Sequence, residues 1–478
     1  MTFPNSWHGD WTGLSFGVLG LGKSGFSVAD TLIELGAKVT VFARESTGQY
    51  QDLLEVIGAN FVGSDSLGDF HAAGEFDGYV VSPGFSPSHP IVDWLLANNK
   101  KVLTDIDLAF ALRDKGPKVA KWILITGTNG KTTTTELVTH ILNSAGHRSV
   151  SCGNIGNPIL DVIREPDGYE YFVVELSSFQ LHYLGAIESE VSAFLNLAPD
   201  HIDWHGSYED YFAAKSKVYF GTKEAIIFNE QDPKTLEAAQ NADVVEGCRA
   251  VSFTLHTPSV SSVGYVEEFL VDRAFIAERA GQALEVASDS DLAEIGVVTN
   301  HLKANVAAAT AISRALGTPA NVIRQAIRTF RLSPHRIEVV LVDKGVTFVD
   351  DSKATNAHAA AASLAAFDSI IWIVGGLLKG VDPTSLIVAN REKLRAAVVI
   401  GSDTQVLEEL FATHAPNVPI AVIPDAAVMA SAVAKAIGFA KSGDTVLLAP
   451  AAASMDQFKD YADRGSAFSS EVRKQVLA

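Results

Sequence analysis

The segment Thr126–Thr133, with the sequence TGTNGKTT, constrains this chain more than any other part of it. It follows an apolar run, 122–125, and it precedes a segment whose apolar residues recur at helical spacing. A glycine-rich loop between a strand and a helix presents backbone N–H groups to phosphates at the positive end of that helix. The Gly-Lys-Thr core adds a lysine charge and a hydroxyl for Mg²⁺. Ile125 stands where such loops usually have their first glycine, so the segment predicts a shortened phosphate-binding loop.

Length and charge limit the class of protein. The 478 residues, 47% hydrophobic and 19% charged, predict two to four domains with sizeable cores. Lys and Arg number 37 against 56 Asp and Glu, which gives a net charge of −19 and no basic tract for a nucleic-acid partner. The two cysteines, Cys152 and Cys248, are too few for a disulfide framework or a thiolate cluster. No apolar run is long enough to cross a bilayer and no targeting segment precedes the first strand, so we expect a cytoplasmic protein without a membrane partner.

Three blocks of alternating strand and helix patterns predict an α/β protein of three domains. We expect an N-terminal Rossmann-like domain over 1–113, a central P-loop-type domain with a parallel mononucleotide-binding sheet over 114–331, and a C-terminal Rossmann-like domain over 332–478. Short alternating apolar runs over 250–285 predict small antiparallel strands at the edge of the central domain.

A second glycine turn, Gly20–Gly25, lies between the first predicted strand and helix. Three interpretations fit it: a tightly packed turn, a nicotinamide dinucleotide site, or a site for another diphosphate. An NAD enzyme usually has an acid at the end of the next strand to bind the ribose, whereas this chain has Ala43 and Arg44 there.

Carboxylates and a histidine follow two further strands. Glu175 ends a buried apolar strand, a placement typical of a carboxylate that faces a nucleotide site, so we predict a second Mg²⁺ ligand there. Asp200, His201 and Asp203 share a loop, and spacing alone fits either a metal site or a purely structural loop.

Taken together and in their order, these segments resemble the Mur ligases over nearly the whole chain. The matching segments are TGTNGKT at 126–132, ELSSFQ at 175–180, Asp200-His201, AAK at 213–215, Asn229, His301 with Asn305, PHR at 334–336, DSKATN at 351–356, Gly375-Gly376 with Lys379, and SMDQF at 454–458.

The resemblance implies an ATP-dependent ligase with two Mg²⁺ sites. Lys131, His201 and Lys215 would be catalytic, and Lys215 would be carbamylated, although a lysine in a segment spaced like a helix is by itself predicted to be an ordinary surface lysine. The implied metal ligands are Thr132, Glu175, His201 and Lys215. The implied ATP-binding residues are Gly127, Thr128, Asn129, Gly130, Lys131, Thr132, Thr133, Asn305, Arg336 and Asp351.

Within the family, the turns at 82–84 and 154–156 and the 454–465 segment are most similar to members that join D-glutamate to UDP-N-acetylmuramoyl-L-alanine through an acyl phosphate and a tetrahedral intermediate. The implied contacts to the UDP-linked substrate are Gly22, Lys23, Ser24, Gly84, Asn154, Ser177 and Gln180. The implied amino-acid contacts are Lys353, Thr355, Lys379, Ser454, Met455 and Tyr461. The resemblance also implies a monomer whose third domain closes over the other two.

The chain departs from the family at a few positions. Ala43 and Arg44 replace an acid followed by a hydroxyl residue, His301-Leu302 replaces a His-Asn pair and leaves Asn305 as the retained amide, and Tyr461 stands where a Phe also occurs. Three alternatives stay open: a folylpolyglutamate synthase-like ligase, an NAD(P)-linked oxidoreductase in which Arg44 reads a 2′-phosphate, and a P-loop switch or kinase.

Overall fold

The computed structural model describes residues 3–44, 48–378, 382–423 and 427–477. Its contacts divide the chain into two compact units, the first comprising 1–289 with 304–328 and the second 290–303 with 329–478. Three sheets, two in the first unit and one in the second, confirm the predicted α/β class. The boundaries at 113 and 331 stay predictions.

The strands are β1 Ser15–Leu19, β2 Lys38–Phe42, β3 Asn60–Val62, β4 Gly78–Val81, β5 Val102–Leu103, β6 Lys121–Thr126, β7 Ser149–Gly153, β8 Tyr171–Glu175, β9 Val191–Phe194, β10 Ala225–Asn229, β11 Arg249–Phe253, β12 Ser262–Val266, β13 Phe269–Asp272, β14 Leu284–Ser288, β15 Glu338–Asp343, β16 Val346–Asp350, β17 Ile370–Gly375, β18 Leu394–Ile400, β19 Ile420–Val422 and β20 Thr445–Leu448.

The helices are α1 Lys23–Glu34, α2 Gly48–Ile57, α3 Leu67–Ala72, α4 Pro90–Ala97, α5 Asp105–Ala111, α6 Lys131–Ser144, α7 Ile159–Ile163, α8 Ser178–Tyr183, α9 Ile202–His205, α10 Tyr208–Ser216, α11 Pro233–Gln240, α12 Asp289–Leu292, α13 Asn300–Ala315, α14 Ala320–Thr329, α15 Ala357–Ala365, α16 Thr384–Asn390, α17 Thr404–His414, α18 Val428–Phe439 and α19 Tyr461–Val476, with a 3-10 turn at Lys217–Tyr219. Among these described helices, none is long and apolar enough to cross a membrane.

The first sheet has the order β3-β2-β1-β4-β5, and all its pairings are parallel. Its central strand β1 leads through the Gly20–Gly25 turn into α1. Parallel strands covered on both faces need continuous apolar runs, and β1 is buried from Phe16 to Leu19. The glycine turn therefore lies at the carboxyl edge of a buried sheet, where open α/β sheets bind their ligands.

The middle sheet has nine strands in the order β14-β13-β12-β11-β10-β9-β6-β8-β7. The expectation of antiparallel strands near 250–285 is right for β12, β13 and β14. It is wrong for β11, which pairs in parallel with both β10 and β12. The reason is that β11 continues the buried parallel sheet before the chain turns into the hairpins. Strand β6 lies between β8 and β9, so the carboxyl ends of both neighbours flank the loop that follows β6.

Polar contacts join the first sheet's α1 to α7 of the middle sheet. Ser27 Oγ donates to Asp161 Oδ1 at 2.6 Å. Arg164 bridges two acids of α1, at 2.5 Å from Asp30 Oδ2 and 3.2 Å from Glu34 Oε2. Arg164, which directly follows α7, thus connects α7 to α1 through two carboxylates. Two ion pairs fix the orientation of one helix relative to the other more tightly than a single ion pair would.

The sheet of the second unit has the order β15-β16-β20-β17-β18-β19, and its pairings are parallel except for β15 with β16. Residues Ile370 to Val374 of β17 are fully buried, and Trp372 Nε1 donates to Ala449 O at 2.7 Å across the sheet edge. The carboxyl ends of β17 and β20 lead into the Gly375-Gly376 turn and the 449–454 segment, so these two segments meet at one edge.

Candidate active site

The predicted phosphate-binding loop follows β6 and ends at α6. Gly130 has a φ of +81°, a left-handed conformation that favours glycine. A Cβ there would lie 2.2 Å from Oδ1 of Asn305, so only glycine lets the loop and α13 approach this closely. Asn305, an implied ATP contact, therefore lies directly against the loop.

Asn196, which the sequence analysis did not select, holds the loop from its β9 side. Its side chain accepts the Asn129 N–H at 2.9 Å and donates to the Asn129 carbonyl at 3.0 Å, while its own carbonyl accepts the Thr128 N–H at 2.9 Å. The hydroxyls of Thr128 and Tyr211 lie 2.9 Å apart. These contacts fix the loop in the absence of the usual first glycine.

Two lysines share one carbonyl of this loop. Lys131 Nζ lies 2.8 Å from Gly127 O and 2.9 Å from Thr128 O, and Lys215 Nζ lies 2.7 Å from the same Gly127 O. Lys215 is 1% exposed. Burial first, and the neighbouring Lys131 charge second, lower the pKa of Lys215 well below its usual range. The surface position predicted for Lys215 from the helical spacing of its segment alone is wrong, because α10 turns this side chain under the phosphate loop.

Glu175 lies at the end of β8, opposite Ile125 of β6. Asn154 donates to Oε1 of Glu175 at 2.8 Å through its side chain and to its carbonyl at 2.8 Å through its backbone. Oε2 of Glu175 is buried and has no hydrogen-bond partner among the described residues. Because an unpaired buried carboxylate oxygen is costly, this atom fits a cation ligand. Asn154, implied as a substrate contact, here orients the carboxylate.

His201 begins α9 with a φ of +53°, a strained conformation for a histidine. Its side chain is 42% exposed, and Nδ1 lies 3.6 Å from Asp200 Oδ1. The neighbouring His205 is buried, with Nε2 2.9 Å from Ser178 Oγ, and burial lowers the pKa of His205 to about 4. His201 is thus the accessible histidine of the pair, in keeping with a ligand role.

The first sheet carries a cleft of about 470 Å³ at its carboxyl edge. The Gly20–Gly25 turn and the turn that begins with Ser82-Pro83-Gly84 form two of its walls, so Gly22, Lys23, Ser24 and Gly84 line the same cleft. Asp65 and His89, which the sequence analysis missed, also line it. Lys23 Nζ donates to Gly156 O of the 154–156 turn at 3.3 Å.

Ser177 and Gln180 form a capping box at the start of α8. The Gln180 side-chain oxygen accepts the backbone N–H of Ser177 at 3.1 Å, and its amide also bonds the buried carboxyl of Asp105 on α5. Both residues, implied as substrate contacts, are engaged within the protein. Burial raises the pKa of Asp105 to about 6, and the nearby Asp107 adds to the rise.

We expect Asp105→Asn to change the pH dependence of stability. Since the folded pKa of about 6 exceeds the unfolded value of 3.8, the stability that Asp105 contributes is full below about pH 4 and is lost as pH rises through 6. A difference of about two units between the folded and unfolded pKa values corresponds to about 3 kcal/mol of folding stability. The Tm of the variant minus the Tm of wild type should therefore increase by several degrees between pH 4.5 and 7.5. Asp52→Asn, on the exposed face of α2, should give a constant difference; a constant difference for Asp105→Asn would contradict the prediction.

In the second unit, Arg336 lies between two residues with positive φ, His335 at +66° and Ile337 at +47°. His335 Nδ1 is 2.7 Å from the buried Asp350 Oδ2, which anchors this strained segment. Asp351 accepts the Ile337 N–H at 3.3 Å and bonds the hydroxyl of Ser363, and burial raises its pKa to about 6. The implied nucleotide contacts of this unit, Arg336 and Asp351, therefore lie on two neighbouring segments that hydrogen bonds hold together.

The implied amino-acid contacts are brought together in part. Lys353 Nζ lies 3.7 Å from the ring centroid of Tyr461, and the Thr355 N–H donates to the Lys353 carbonyl at 2.8 Å. Ser454 is buried and Met455 is 61% exposed. Lys379 lies outside the described residues.

The buried Arg464 joins the 352–355 and 452–454 segments. Its guanidinium donates to Ser352 Oγ and O at 3.0 Å and to Ala452 O at 3.2 Å. Burial lowers the pKa of Arg464 to about 10, so the side chain stays charged at neutral pH. Arg464 thus fixes the backbone just before Ser454 and links it to the segment that contains Lys353.

Comparisons with known proteins show which family of proteins this chain belongs to. The Mur ligase middle domain matches residues 125–313, and the Mur ligase glutamate ligase domain matches residues 335–452. The chain belongs to the Mur ligase family, whose members are ATP-dependent.

Among its relatives, the UDP-N-acetylmuramoylalanine–D-glutamate ligase of Leifsonia xyli subsp. xyli is 47% identical and covers 98% of this chain and 94% of its own. The ligase of the same name from Streptomyces avermitilis is 44% identical over 97% and 99%. Solved structures support the fold: UDP-N-acetylmuramate-alanine ligase from Thermotoga maritima aligns with a TM-score of 0.58 at 15% identity, over 97% of this chain and all of its own.

Proposed function

We propose that the chain joins D-glutamate to UDP-N-acetylmuramoyl-L-alanine at the expense of ATP, in the synthesis of peptidoglycan precursors. The observation that supports this best is the phosphate loop with Lys131 and Lys215 beside it and a Glu175 oxygen that has no hydrogen-bond partner among the described residues. The name that its relatives share over nearly their full length supplies the substrates. We also propose that it acts in the cytoplasm, where ATP is available, as a monomer.

The reaction requires activation of a carboxylate, because a free carboxylate has no good leaving group. A carboxylate oxygen of the UDP-linked substrate attacks the γ-phosphorus of ATP, ADP leaves, and an acyl phosphate forms. The amine of D-glutamate then attacks the acyl carbon, a proton leaves the nitrogen, and the tetrahedral intermediate expels phosphate. In this scheme Lys131 stabilises charge on the transferring phosphoryl group, and Arg336 contacts the nucleotide phosphates.

The residues around the loop fit magnesium. The free oxygen of Glu175 and the hydroxyl of Thr132 at the start of α6 are hard oxygen donors of the kind Mg²⁺ prefers. His201 and Lys215 would support a second ion. When bound, magnesium supplies charge neutralisation and orientation of the phosphate oxygens.

We propose that Lys215 carries a carbamate. Its amine is buried, shares a carbonyl with the Lys131 ammonium, and lies close enough to Asp200 and Glu175 to feel their charges. A second ammonium here would repel metal ions, whereas the neutral amine can react with CO₂. The nitrogen lone pair bonds to the CO₂ carbon, one N–H proton leaves to solvent, and the product is an anion that can hold a metal.

We propose that the amino acid binds in the second unit near Ser454, Lys353 and Tyr461, with Thr355, Met455 and Lys379 at the same site. D-glutamate carries two carboxylates, which a cation and hydroxyl donors recognise. The contact of Lys353 with Tyr461 and the hydrogen bonds of Arg464 to Ser352 and Ala452 support this assignment.

We expect Ser454→Ala to raise the KM for D-glutamate about tenfold and to leave the KM for ATP within about twofold, since loss of one hydrogen bond to a charged group costs about 1.5 kcal/mol. Lys379→Ala should do the same more strongly. Ser466→Ala, on the exposed side of α19, is the matched control for the serine. Steady-state kinetics with each substrate varied in turn measure both constants, and equal effects on the two would contradict the assignment.

One experiment tests the proposed function as a whole. The protein is incubated with Mg-ATP, UDP-N-acetylmuramoyl-L-alanine and a panel of D- and L-amino acids, and the product is identified by mass. We expect one amide product with D-glutamate and phosphate release that needs both substrates. Phosphate release without an amide, or amide formation with another amino acid, would overturn the proposal.

A further inference from the structure

The first-sheet cleft contains an acid that nothing in the sequence motifs assigned. Asp65 follows β3 by three residues, and its side chain is 16% exposed at the edge of the cleft. The acid that dinucleotide folds carry after the second strand is missing here, because that position is occupied by Ala43 and Arg44. In this cleft the carboxylate thus follows the third strand in the sequence, and not the second strand as in dinucleotide folds.

Two side chains hold Asp65 in place. Arg44 Nε donates to Oδ1 at 2.6 Å. His89 Nδ1 accepts the Ile91 N–H at the start of α4, so its proton is on Nε2, which lies 3.4 Å from Asp65 Oδ2. Each carboxylate oxygen thus has one donor and can accept a further hydrogen bond.

The position of Asp65 indicates which part of a bound nucleoside diphosphate this side chain would contact. The strand order β3-β2-β1 places the end of β3 two strand spacings, about 10 Å, from the turn after β1. The pyrophosphate belongs at that turn, beside the N-terminus of α1. In dinucleotide folds an acid one strand away reaches the ribose, so an acid two strands away is placed for the base.

We propose that Asp65 reads the uracil base of the substrate, accepting its N3–H, while Arg44 donates to a neighbouring uracil carbonyl. This rests on the proposed UDP-linked substrate. Uracil presents an N–H donor between two carbonyl acceptors, which matches a carboxylate beside a guanidinium. The contact with Asp65 uses one of the five N–H donors of Arg44. Cytosine has an unprotonated nitrogen at N3, so the same pair rejects it.

The test measures the binding of UDP and CDP by calorimetry without ATP or amino acid. We expect wild type to bind UDP at least about tenfold more tightly than CDP. Asp65→Asn should weaken UDP binding by about 10- to 100-fold, as for loss of a charge-assisted hydrogen bond, and bring the CDP-to-UDP ratio of Kd values close to one. Arg44→Gln should lower the same ratio by a smaller factor.

Two control variants separate the base contact from other effects. Asp93→Asn changes an exposed acid of α4 outside the cleft and should leave both Kd values unchanged. Lys23→Ala lies at the phosphate end of the cleft and should weaken UDP and CDP equally. Thermal unfolding of each variant establishes that it is folded.

The outcomes distinguish this inference from the proposed function. If wild type binds UDP, Lys23→Ala weakens it, and Asp65→Asn keeps the wild-type ratio, then Asp65 does not read the base although the cleft binds the nucleotide. If wild type fails to bind UDP, or Lys23→Ala has no effect, the assignment of the cleft to the UDP-linked substrate falls, and the role of Asp65 falls with it. A ratio near one in folded Asp65→Asn supports the inference.

Discussion

Lys131→Ala should abolish ligation without unfolding the protein. The ammonium is held by the carbonyls of Gly127 and Thr128 at the start of α6, so it is already oriented toward a bound triphosphate. Loss of such a preorganised charge costs about 4 kcal/mol of transition-state stabilisation, and we expect kcat/KM to fall by about 10³-fold. Coupled measurement of ADP release and product mass checks this result.

Two further variants make the Lys131 result decisive. Lys131→Met keeps the apolar length of the side chain and should be as inactive as the alanine variant. Lys118→Ala removes an exposed lysine just before β6 and should retain full activity. Substantial turnover in a folded Lys131 variant would remove the ATP-binding assignment of the loop.

Lys215→Ala should reduce turnover to below about 1% of wild type, because it removes a metal ligand and leaves a hole under the phosphate loop. The hole gives the sharper test. A small carboxylate can enter it and replace the carbamate charge, so acetate or formate should restore part of the activity, and chloride at equal ionic strength should not.

The matched control for rescue is Lys131→Ala, which lacks the neighbouring charge and should not respond to acetate. Wild-type protein in ¹³C-bicarbonate should show a carbamate resonance that is absent from Lys215→Ala. Lys223→Ala, an exposed lysine paired with Glu188, should keep that resonance and full turnover. Near-normal activity of Lys215→Ala would show that the lysine is not needed for turnover. No carbamate resonance in active wild type would show that the lysine acts unmodified.

Several strands that are continuous apolar runs could be predicted from the sequence. Strands β1, β6 and β17 are examples, because burial on both faces leaves a pattern that can be read locally. Strands β3 and β7 were missed. Their sequences, NFV and SVSCG, are short or half polar, and they exist as strands through pairing with β2 and β8. A pattern set by a partner strand is not visible in the segment itself.

In the candidate site, too, some features could be predicted from the local sequence and others could not. The phosphate loop could be found from its own residues, since its glycine and lysine spacing is local. The environment of Lys215 could not, because its hydrogen-bond acceptors are 88 and 89 positions away in the sequence. Asp65 was missed for a similar reason: its partners Arg44 and His89 come from two other loops. Only the folded sheet edge brings these three side chains together.

The Arg164 bridge between α7 and α1 fixes the position of one glycine-rich loop relative to the other. Arg164 holds Asp30 and Glu34 on the helix that follows the first glycine turn, and Ser27 adds a third contact through Asp161. The two glycine-rich loops therefore belong to a single preassembled platform. If a carboxylate donor and a triphosphate bind at these loops, the entropy of orienting them toward each other is lost when the chain folds and not at each turnover. Weakening this bridge, by Arg164→Ala for example, should thus slow phosphoryl transfer from a distance, without altering any group that contacts either substrate.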